Sequence, residues 1–238
     1  MKKPKVTFAI QNKGLLLNKS LHPTPMQKFI PTWYKNIKAD VIPNDNVKYV
    51  NKRKTAKTCP SFVEIFKEGY VILSPQDYVI KVKSDGSFEW RAPLNFEPDT
   101  GHPSVHYHSF EQFHKFYDTK KVLCVVKLNL PIQIITPKGY SVRQMHMPYT
   151  SKEDYEITYG VLKADKIHAC NVQIMFYKEG EYVIEQGQPL AVYIPYKREE
   201  FDYEVVDSYD SKYFNKLEKD YFIHFGKIKI NKTNYYKE

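Results

Sequence analysis

Two histidines at alternate positions, His106 and His108, are candidate metal ligands. They lie in the stretch GHPSVHYHSFEQFH, residues 101–114, and in an extended strand both imidazoles would project from one face. That arrangement suits a transition metal, because imidazole nitrogen is a common zinc ligand. The same letters also fit a loop that leads into a helix, with three aromatic residues packing inwards instead: Phe110, Phe113 and Phe116.

With Glu111, the two histidines resemble part of the cupin motif, in which an HxH pair and a glutamate bind a transition metal inside a β-barrel. The resemblance is incomplete, because the glutamate comes early and a second histidine motif is missing. His146 or His168 would have to replace that second motif. The resemblance implies a metal-dependent, oxygenase-like enzyme.

The chain also has side chains that could bind a nucleotide. Arg143 and Arg198 are two of only four arginines, and a planar guanidinium can contact two phosphate oxygens at once. Together with Asp165 and Gln188, they form a candidate nucleotide site.

Much of the chain, from about His22 to Glu199, resembles an uncharacterised family of tailed-phage proteins (DUF6065-like). The matching phrases are CPSFVEIFKEGY (59–70), SPQDYVI (74–80), TPKGYS (136–141) and GQPLAVYIPYKRE (187–199). This resemblance implies a phage-encoded protein of the host cytoplasm or the virion, and it brings no established activity with it.

More distantly, the C-terminal half is similar to the β-clip fold of the dUTPase and dCTP-deaminase superfamily, through GVLKAD (160–165) and VIEQGQPLAVYIP (183–195). In that superfamily a carboxylate on the glycine-initiated strand activates water, whereas the corresponding residue here is Lys163. Asp165 would lie on the same face of an extended strand, displaced by about 7 Å. The lysine argues against hydrolysis, and a nucleotide-binding or nucleotide-hydrolysing protein stays the alternative.

Residues 179–199 predict two strands joined by a tight turn, which is the pattern of a β-hairpin. Gly187 gives the turn a permissive backbone, and Leu190, Val192 and Ile194 alternate towards an interior. Many such short segments, separated by glycine and proline, run from residue 71 to 205. They predict a mainly β (α+β) fold with an antiparallel β-body and a β-clip-like C-terminal half.

Three short helices are expected near 24–37, 59–68 and 209–223. Thr24-Pro25 and Thr58-x-Pro60 read as helix caps followed by first-turn prolines, and Gly69 follows the second helix where a left-handed residue is favoured. We expect one domain over 1–238, in which an N-terminal helical region (residues 1–70) packs on the β-body 71–205 and a helix and tail, 206–238, follow.

Composition narrows the functional classes. The chain has 238 residues, 15% aromatics and a formal net charge of +9. A nucleic-acid partner is one interpretation, favoured by the basic stretch 35–57, and lysines on a solvated surface are the other. The sequence contains no CxxC, phosphate-binding glycine loop or long apolar run, so we predict no cofactor and no membrane partner.

Aromatic side chains favour a protein partner. Trp33, Tyr34, Tyr193 and Tyr196 are the candidate interface residues, because tyrosine and tryptophan are enriched at interfaces. The leading hypothesis is therefore a non-enzymatic binding or assembly protein of a phage, with the virion as one expected location. Its partner would be another protein or a further copy of itself, as in a homo-oligomer such as a trimer.

Overall fold

The structure is a computed structural model, and it describes residues 3–41, 53–93, 103–108, 122–150, 154–206, 213–217 and 219–220. Fifteen strands occur among these residues. They are β1 (Thr7–Ile10), β2 (Thr24–Pro25), β3 (Asp40–Val41), β4 (Arg53–Lys54), β5 (Tyr70–Leu73), β6 (Tyr78–Val82), β7 (Phe88–Arg91), β8 (Val105–His108), β9 (Cys124–Ile135), β10 (Tyr140–Met145), β11 (Tyr155–Ile157), β12 (Gly160–Leu162), β13 (Ala169–Phe176), β14 (Gly180–Ile184) and β15 (Pro189–Lys197).

The helices are short and lie mainly before β5. Three are α-helices: α1 (Lys13–Leu17), α2 (Thr32–Asn36) and α3 (Pro60–Glu64). Four more are 3-10 turns: Lys19–Leu21, Met26–Phe29, Ala56–Thr58 and Ile65–Lys67. Residues 213–217 and 219–220 are also helical. The prediction of a mainly β, antiparallel fold with few short helices is confirmed.

The strands form three main sheets and one small ribbon. The first sheet has the order β1-β9-β13-β11, with β8 also paired to β9. The second has the order β12-β10-β15-β5-β2, and the third β14-β6-β7. β3 and β4 form the separate two-stranded ribbon, and every pairing is antiparallel.

One apolar core joins the three main sheets. It contains Val172 and Ile174 of the first sheet, Val142 and Tyr193 of the second, and Ile80 of the third, all almost fully buried. Tyr193 also joins two sheets directly, because its hydroxyl donates to Gln144 Oε1 at 2.9 Å and to the carbonyl of Asn171 at 3.4 Å.

A smaller core covers the opposite face of the second sheet. Val71 and Val192 of that sheet pack there against Met26 and Phe66 from the helical segments before β5. β15 is therefore buried on both faces. Leu190, Val192 and Ile194 all point inward, as predicted, but they reach two cores: Leu190 belongs to the main core and the other two face the smaller one. A register shift between Pro189 and Ala191 accompanies this change of face.

The predicted hairpin over 179–199 is wrong in its pairing. Both strands exist, but β14 pairs with β6 in the third sheet and β15 pairs with β10 and β5 in the second. The turn at 185–188 is thus a crossover between sheets. It binds a second crossover, 74–77, through Gly187 N–H to Ser74 O (2.8 Å) and Ser74 N–H to Gln188 O (2.9 Å).

The predicted helix near 24–37 divides into the turn Met26–Phe29 and α2, with Pro31 between them, and the one near 59–68 into α3 and the turn Ile65–Lys67. The predicted caps are wrong: Thr24-Pro25 forms β2, and Cys59 precedes α3 without a side-chain capping bond. Gly69 does have a positive φ of 77°. Most of the expected helix 209–223 lies outside the described residues.

By its internal contacts the chain divides into two units, Met1–Arg198 and Glu199–Glu238. The organisation as one domain stays a prediction. In the second unit, residues 199–206 are assigned neither helix nor strand.

Candidate functional site

Two of the four predicted nucleotide-binding residues, Asp165 and Arg198, pair with each other. Asp165 lies in the turn that follows β12, and Arg198 immediately follows β15. Arg198 Nη1 donates to Asp165 Oδ1 at 2.9 Å, and Nη2 donates to Oδ2 at 2.5 Å. This is the bidentate geometry in which an arginine binds a carboxylate most strongly.

Further hydrogen bonds extend the pair into a structural clamp. The Gly139 N–H donates to Asp165 Oδ2, and Arg198 Nη1 also donates to the Tyr140 carbonyl and to Ser141 Oγ, each at 2.9 Å. The Arg198 N–H donates to the Gly139 carbonyl at 2.8 Å. The clamp therefore joins the turn after β12 to the start of β10 and the end of β15.

The clamp leaves the Asp165 carboxylate little capacity for chemistry. Its side chain is 4% exposed, against 31% for Arg198. The Arg198 guanidinium, together with the Gly139 N–H, holds the pKa of the Asp165 carboxyl well below its ordinary value of 3.8. A group so stabilised as an anion is a poor proton acceptor near neutral pH.

The predicted position of Asp165 on a strand is wrong. β12 ends at Leu162, and the chain then turns, because the Lys163 carbonyl accepts hydrogen bonds from the N–H groups of Lys166 (2.8 Å) and Ile167 (2.9 Å). Asp165 therefore does not share a strand face with Lys163. The Lys163 side chain itself is exposed.

The other arginine of the predicted site, Arg143, lies on β10 and is exposed. Its guanidinium carbon stands 4.6 Å from the centre of the Tyr196 ring on the neighbouring strand β15. A stacked guanidinium is partly desolvated on one face but keeps its N–H edge available for an anion. Arg143 and Tyr196 thus form a small cation–π pair between β10 and β15 of the second sheet.

Gln188 lies in the crossover 185–188 and lines a cavity of about 270 Å³. Its Nε2 donates to the Tyr155 hydroxyl at 3.2 Å, and its Oε1 accepts from the Glu185 N–H at 3.2 Å. The cavity walls are mostly apolar, with a few polar groups: His146, Thr150, Tyr155, Ile157, Ile174, Ile184, Pro189 and Leu190 complete the lining. This is the composition of a small-molecule pocket.

The predicted interface residues have different environments. Tyr34 and Tyr193 are buried within the chain itself, so neither presents a surface to a partner. Trp33 is half-exposed and contacts Phe62 edge-to-face at 5.6 Å, while Phe62 stacks on Tyr149 at 3.9 Å. An interface role for Trp33 and Tyr196 stays a prediction.

His106 and His108 lie on one face of β8, as predicted, and both are partly buried. His106 stands opposite Lys127 of β9, and a cation in that position disfavours a bound metal ion. Within the described ranges, no group of three or more His, Cys, Asp or Glu side chains could hold a metal. His102, Glu111 and His114 lie outside those ranges, as do Phe110, Phe113 and Phe116.

The histidines considered for a second cupin motif bind backbone carbonyls instead. His168 Nδ1 lies 3.0 Å from the Ala164 carbonyl and 3.2 Å from that of Ile134. His146 Nε2 lies 3.2 Å from the Thr150 carbonyl. Each of these ring nitrogens is thus within hydrogen-bonding distance of a backbone carbonyl.

Two further expectations concern large partners. Residues 42–52 of the basic stretch 35–57 lie outside the described residues, so its nucleic-acid role stays a prediction. Among the described residues, no helix is both long enough and apolar enough to cross a membrane.

Comparison with known proteins finds distant structural likeness only. No protein-family model and no curated protein sequence matches the chain. Among solved structures, the chain is similar to a variant dUTPase from phage phi11 of S. aureus, at 9% identity and a TM-score of 0.39, covering 87% of this chain and 99% of that one. A Staphylococcus bacteriophage 80alpha dUTPase variant gives 12% identity, TM-score 0.39 and the same coverages.

The EIAV dUTPase is similar at 11% identity and a TM-score of 0.33, over 60% of this chain and 86% of that one. The resemblance to the tailed-phage family and the β-clip resemblance of the C-terminal half both stay predictions.

One feature of the site escapes prediction from the sequence. The Asp165–Arg198 clamp joins residues 33 positions apart, and no local spacing indicates such a pair. The acidic and apolar alternation within residues 199–206 is visible in the sequence, as EEFDYEVV, but alternation alone does not show whether the segment forms a last strand of the β-body.

Proposed function

We propose that this chain is a non-enzymatic binding or assembly protein, encoded by a phage and present in the host cytoplasm or the virion. One observation carries the proposal. Phe201, Tyr203 and Val205 are 83%, 92% and 88% exposed, although a protein that acts alone gains nothing from three such side chains in one short segment. Apolar side chains grouped on a surface are typical of contact with another protein.

The state of Asp165 supports a non-catalytic role. In the dUTPase resemblance a carboxylate near β12 would activate water, but here Lys163 takes that position and Asp165 is bound by Arg198. Freeing Asp165 for catalysis would leave an arginine without its main partner. A structural role for the clamp fits this proposal.

A size measurement tests the assembly proposal. In sedimentation velocity, the purified chain should form a defined oligomer, and in a phage-producing culture it should be recovered with a stable protein complex or with purified virions. A chain that sediments as a monomer at every concentration and is absent from both fractions would contradict the proposal.

A hydrolysis assay tests the non-catalytic role. With Mg²⁺ and each of the common deoxynucleoside triphosphates, the wild type and the Asp165→Asn variant should release the same background of pyrophosphate. Turnover by the wild type above the protein-free background would contradict the non-catalytic role, whether or not the variant retains it.

Nucleotide or nucleoside binding is the second candidate, favoured by Gln188 at the wall of the cavity. A ligand at a hundred times its dissociation constant stabilises the folded state by about 2.7 kcal/mol. A thermal-shift series with nucleobases, nucleosides and nucleotides should then raise Tm for wild type, and less for Gln188→Ala. The absence of any shift removes this candidate.

A further inference from the structure

The segment 199–206 has the alternating pattern of a β-strand, although no strand is assigned there. Glu200, Asp202 and Glu204 alternate with Phe201, Tyr203 and Val205, so an extended backbone places the carboxylates on one side and the apolar groups on the other. The segment contains four acidic residues and no basic one. A strand of this kind is stabilised by pairing with a sheet edge that is apolar and basic.

Most sheet edges among the described residues are unsuitable. Acidic residues lie on or beside β14 and β11: Glu179, Glu181 and Glu185, and Asp154 and Glu156. β7 has no net positive charge, because it contains one acidic and one basic residue, Glu89 and Arg91. β2 contains Pro25, which has no N–H to donate. β1 is flanked by Lys3 and Lys5, but its apolar residues Phe8 and Ile10 pack against the main core.

The edge at β12 is both apolar and basic, which are the two properties that the segment requires. It ends the second sheet in the described portion of the chain, and Val161 on it is 60% exposed. The turn that follows keeps Lys163 and Lys166 exposed beside the end of the strand and leaves Ile167 58% exposed. Arg143 faces Val161 directly across the β10–β12 pair.

From this complementarity we infer that the segment 199–206 of one molecule adds as a strand to the β12 edge of a second copy. Phe201, Tyr203 and Val205 cover the apolar surface at Val161 and Ile167. The three carboxylates between them come within reach of Lys163 and Lys166. The inference rests on the proposed function, because it specifies the surface by which the chain assembles.

The clamp holds the residue that precedes the segment close to the β12 edge. Arg198, the residue before the segment, is bound to Asp165, which lies three residues after β12. Two molecules related by a twofold axis near this point can therefore exchange their segments reciprocally. Such an exchange closes the assembly, whereas a one-way exchange would continue into a filament.

Sedimentation velocity over a range of protein concentrations tests the inference. The triple variant Phe201→Ser/Tyr203→Ser/Val205→Ser should weaken self-association about tenfold or more, because exposed aromatic residues dominate interface energetics. Its Tm when monomeric should match wild type, because the three side chains are 83%, 92% and 88% exposed. Val183→Ser, at a half-exposed site on the acidic β14 edge, is the matched control and should associate as wild type does.

Charge reversal identifies the receiving edge. Lys163→Glu/Lys166→Glu should weaken association, and Glu200→Lys/Asp202→Lys/Glu204→Lys should do the same. Combining the two sets in one chain should restore association in part, because the segment and the edge again carry charges of opposite sign. Mixing the apolar segment variant with the Lys163→Glu/Lys166→Glu variant should restore some association in trans, since one intact contact remains.

The outcomes separate this inference from the proposed function. An oligomer that is unchanged by every segment and β12 variant overturns the inference and leaves the assembly proposal in place. A monomer that is nevertheless recovered with virions does the same. A monomer in which the segment is protected from chymotrypsin at all concentrations shows docking within one molecule and also overturns it.

Discussion

At the scale of single residues, the Asp165–Arg198 clamp should dominate the stability of the turn after β12. Asp165→Asn removes the negative charge but keeps the shape, which leaves Arg198 beside a neutral amide. Asp165 is 4% exposed and Arg198 31% exposed, so water replaces the lost carboxylate only in part, and removal of one member of a largely buried ion pair is destabilising. We expect Tm to fall by several degrees in thermal unfolding at pH 7.

The matched control is Glu64→Gln, which breaks an exposed ion pair between Glu64 and Lys67. Exposed pairs contribute about 0–1 kcal/mol, so Tm should hardly change. If both variants lose the same amount of stability, the clamp has no special structural role.

The same carboxylate makes a prediction about pH. The pKa of Asp165 is lowered in the folded state relative to its ordinary value of 3.8, so the unfolded chain binds its proton first as the pH falls. The stabilising effect of the clamp is complete above that value and decreases below it. The Tm difference between wild type and Asp165→Asn should therefore be constant from neutral pH to about pH 5 and shrink under more acidic conditions.

The three cysteines should differ sharply in reactivity. Cys59 is exposed, whereas Cys124 and Cys170 are buried. Burial raises the pKa of the Cys124 thiol to about 12 and also raises that of Cys170, and the thiolate is the reactive form. A thiol reagent at pH 8 should label one cysteine in the native protein and three after denaturation, and Cys59→Ser should abolish the native signal. Rapid labelling of a second native thiol would contradict the burial of both.

At the scale of elements, the junction between the turn Ile65–Lys67 and β5 depends on a missing side chain. Gly69 has a φ of 77°, and a Cβ there would lie 2.6 Å from the Tyr193 carbonyl oxygen and 2.9 Å from Ile194 Cγ1. Both contacts belong to β15, so a side chain would force the helical segment away from the second sheet. Gly69→Ala should cost about 3 kcal/mol or more in denaturant unfolding.

A substitution at Gly139 measures the loss of stability that comes from backbone conformation alone, without a steric clash. Its φ is 86°, but a Cβ there would meet nothing within 4 Å. Gly139→Ala should therefore lose only the left-handed penalty of about 1–2 kcal/mol. Equal losses at the two glycines would show that backbone strain, and not the clash with β15, limits the junction.

The sequence predicts the strands well because the alternation of apolar and polar residues, and the glycines and prolines between strands, are local properties. The segments that form β5, β6, β14 and β15 are all recognisable from their apolar residues. Their pairing is not local: β14 hydrogen-bonds to β6, about a hundred residues earlier, and β15 to β10 and β5. A tight turn between two strands favours a hairpin, but here the two crossovers bind each other and direct the strands into different sheets.

The candidate site illustrates the same limit for side chains. Arg143, Asp165, Gln188 and Arg198 belong together by chemical type, and the structure divides them among a cation–π pair, a clamp and a cavity wall. Composition indicates which groups can bind an anion. Only the fold determines whether such a group is already bound to another residue of the chain, as Arg198 is to Asp165.

At the scale of the whole molecule, the boundary after Arg198 should be the first point of proteolysis. The chain carries a formal net charge of +9, while the segment 199–206 is acidic and holds its aromatic side chains in solvent. In dilute solution, chymotrypsin should cleave after Phe201 or Tyr203 and leave the unit Met1–Arg198 intact, with a Tm close to that of the full chain.

If the segment docks on β12 of a second molecule, the cleavage rate per molecule should fall as protein concentration rises. About 0.5 M salt should restore the cleavage rate, because charge pairs at an exposed edge are screened. A synthetic peptide of residues 197–208 in the same tube reports the activity of the protease. Cleavage elsewhere in the described body before residue 201, or a rate that is independent of concentration in a chain shown to associate, would contradict this arrangement.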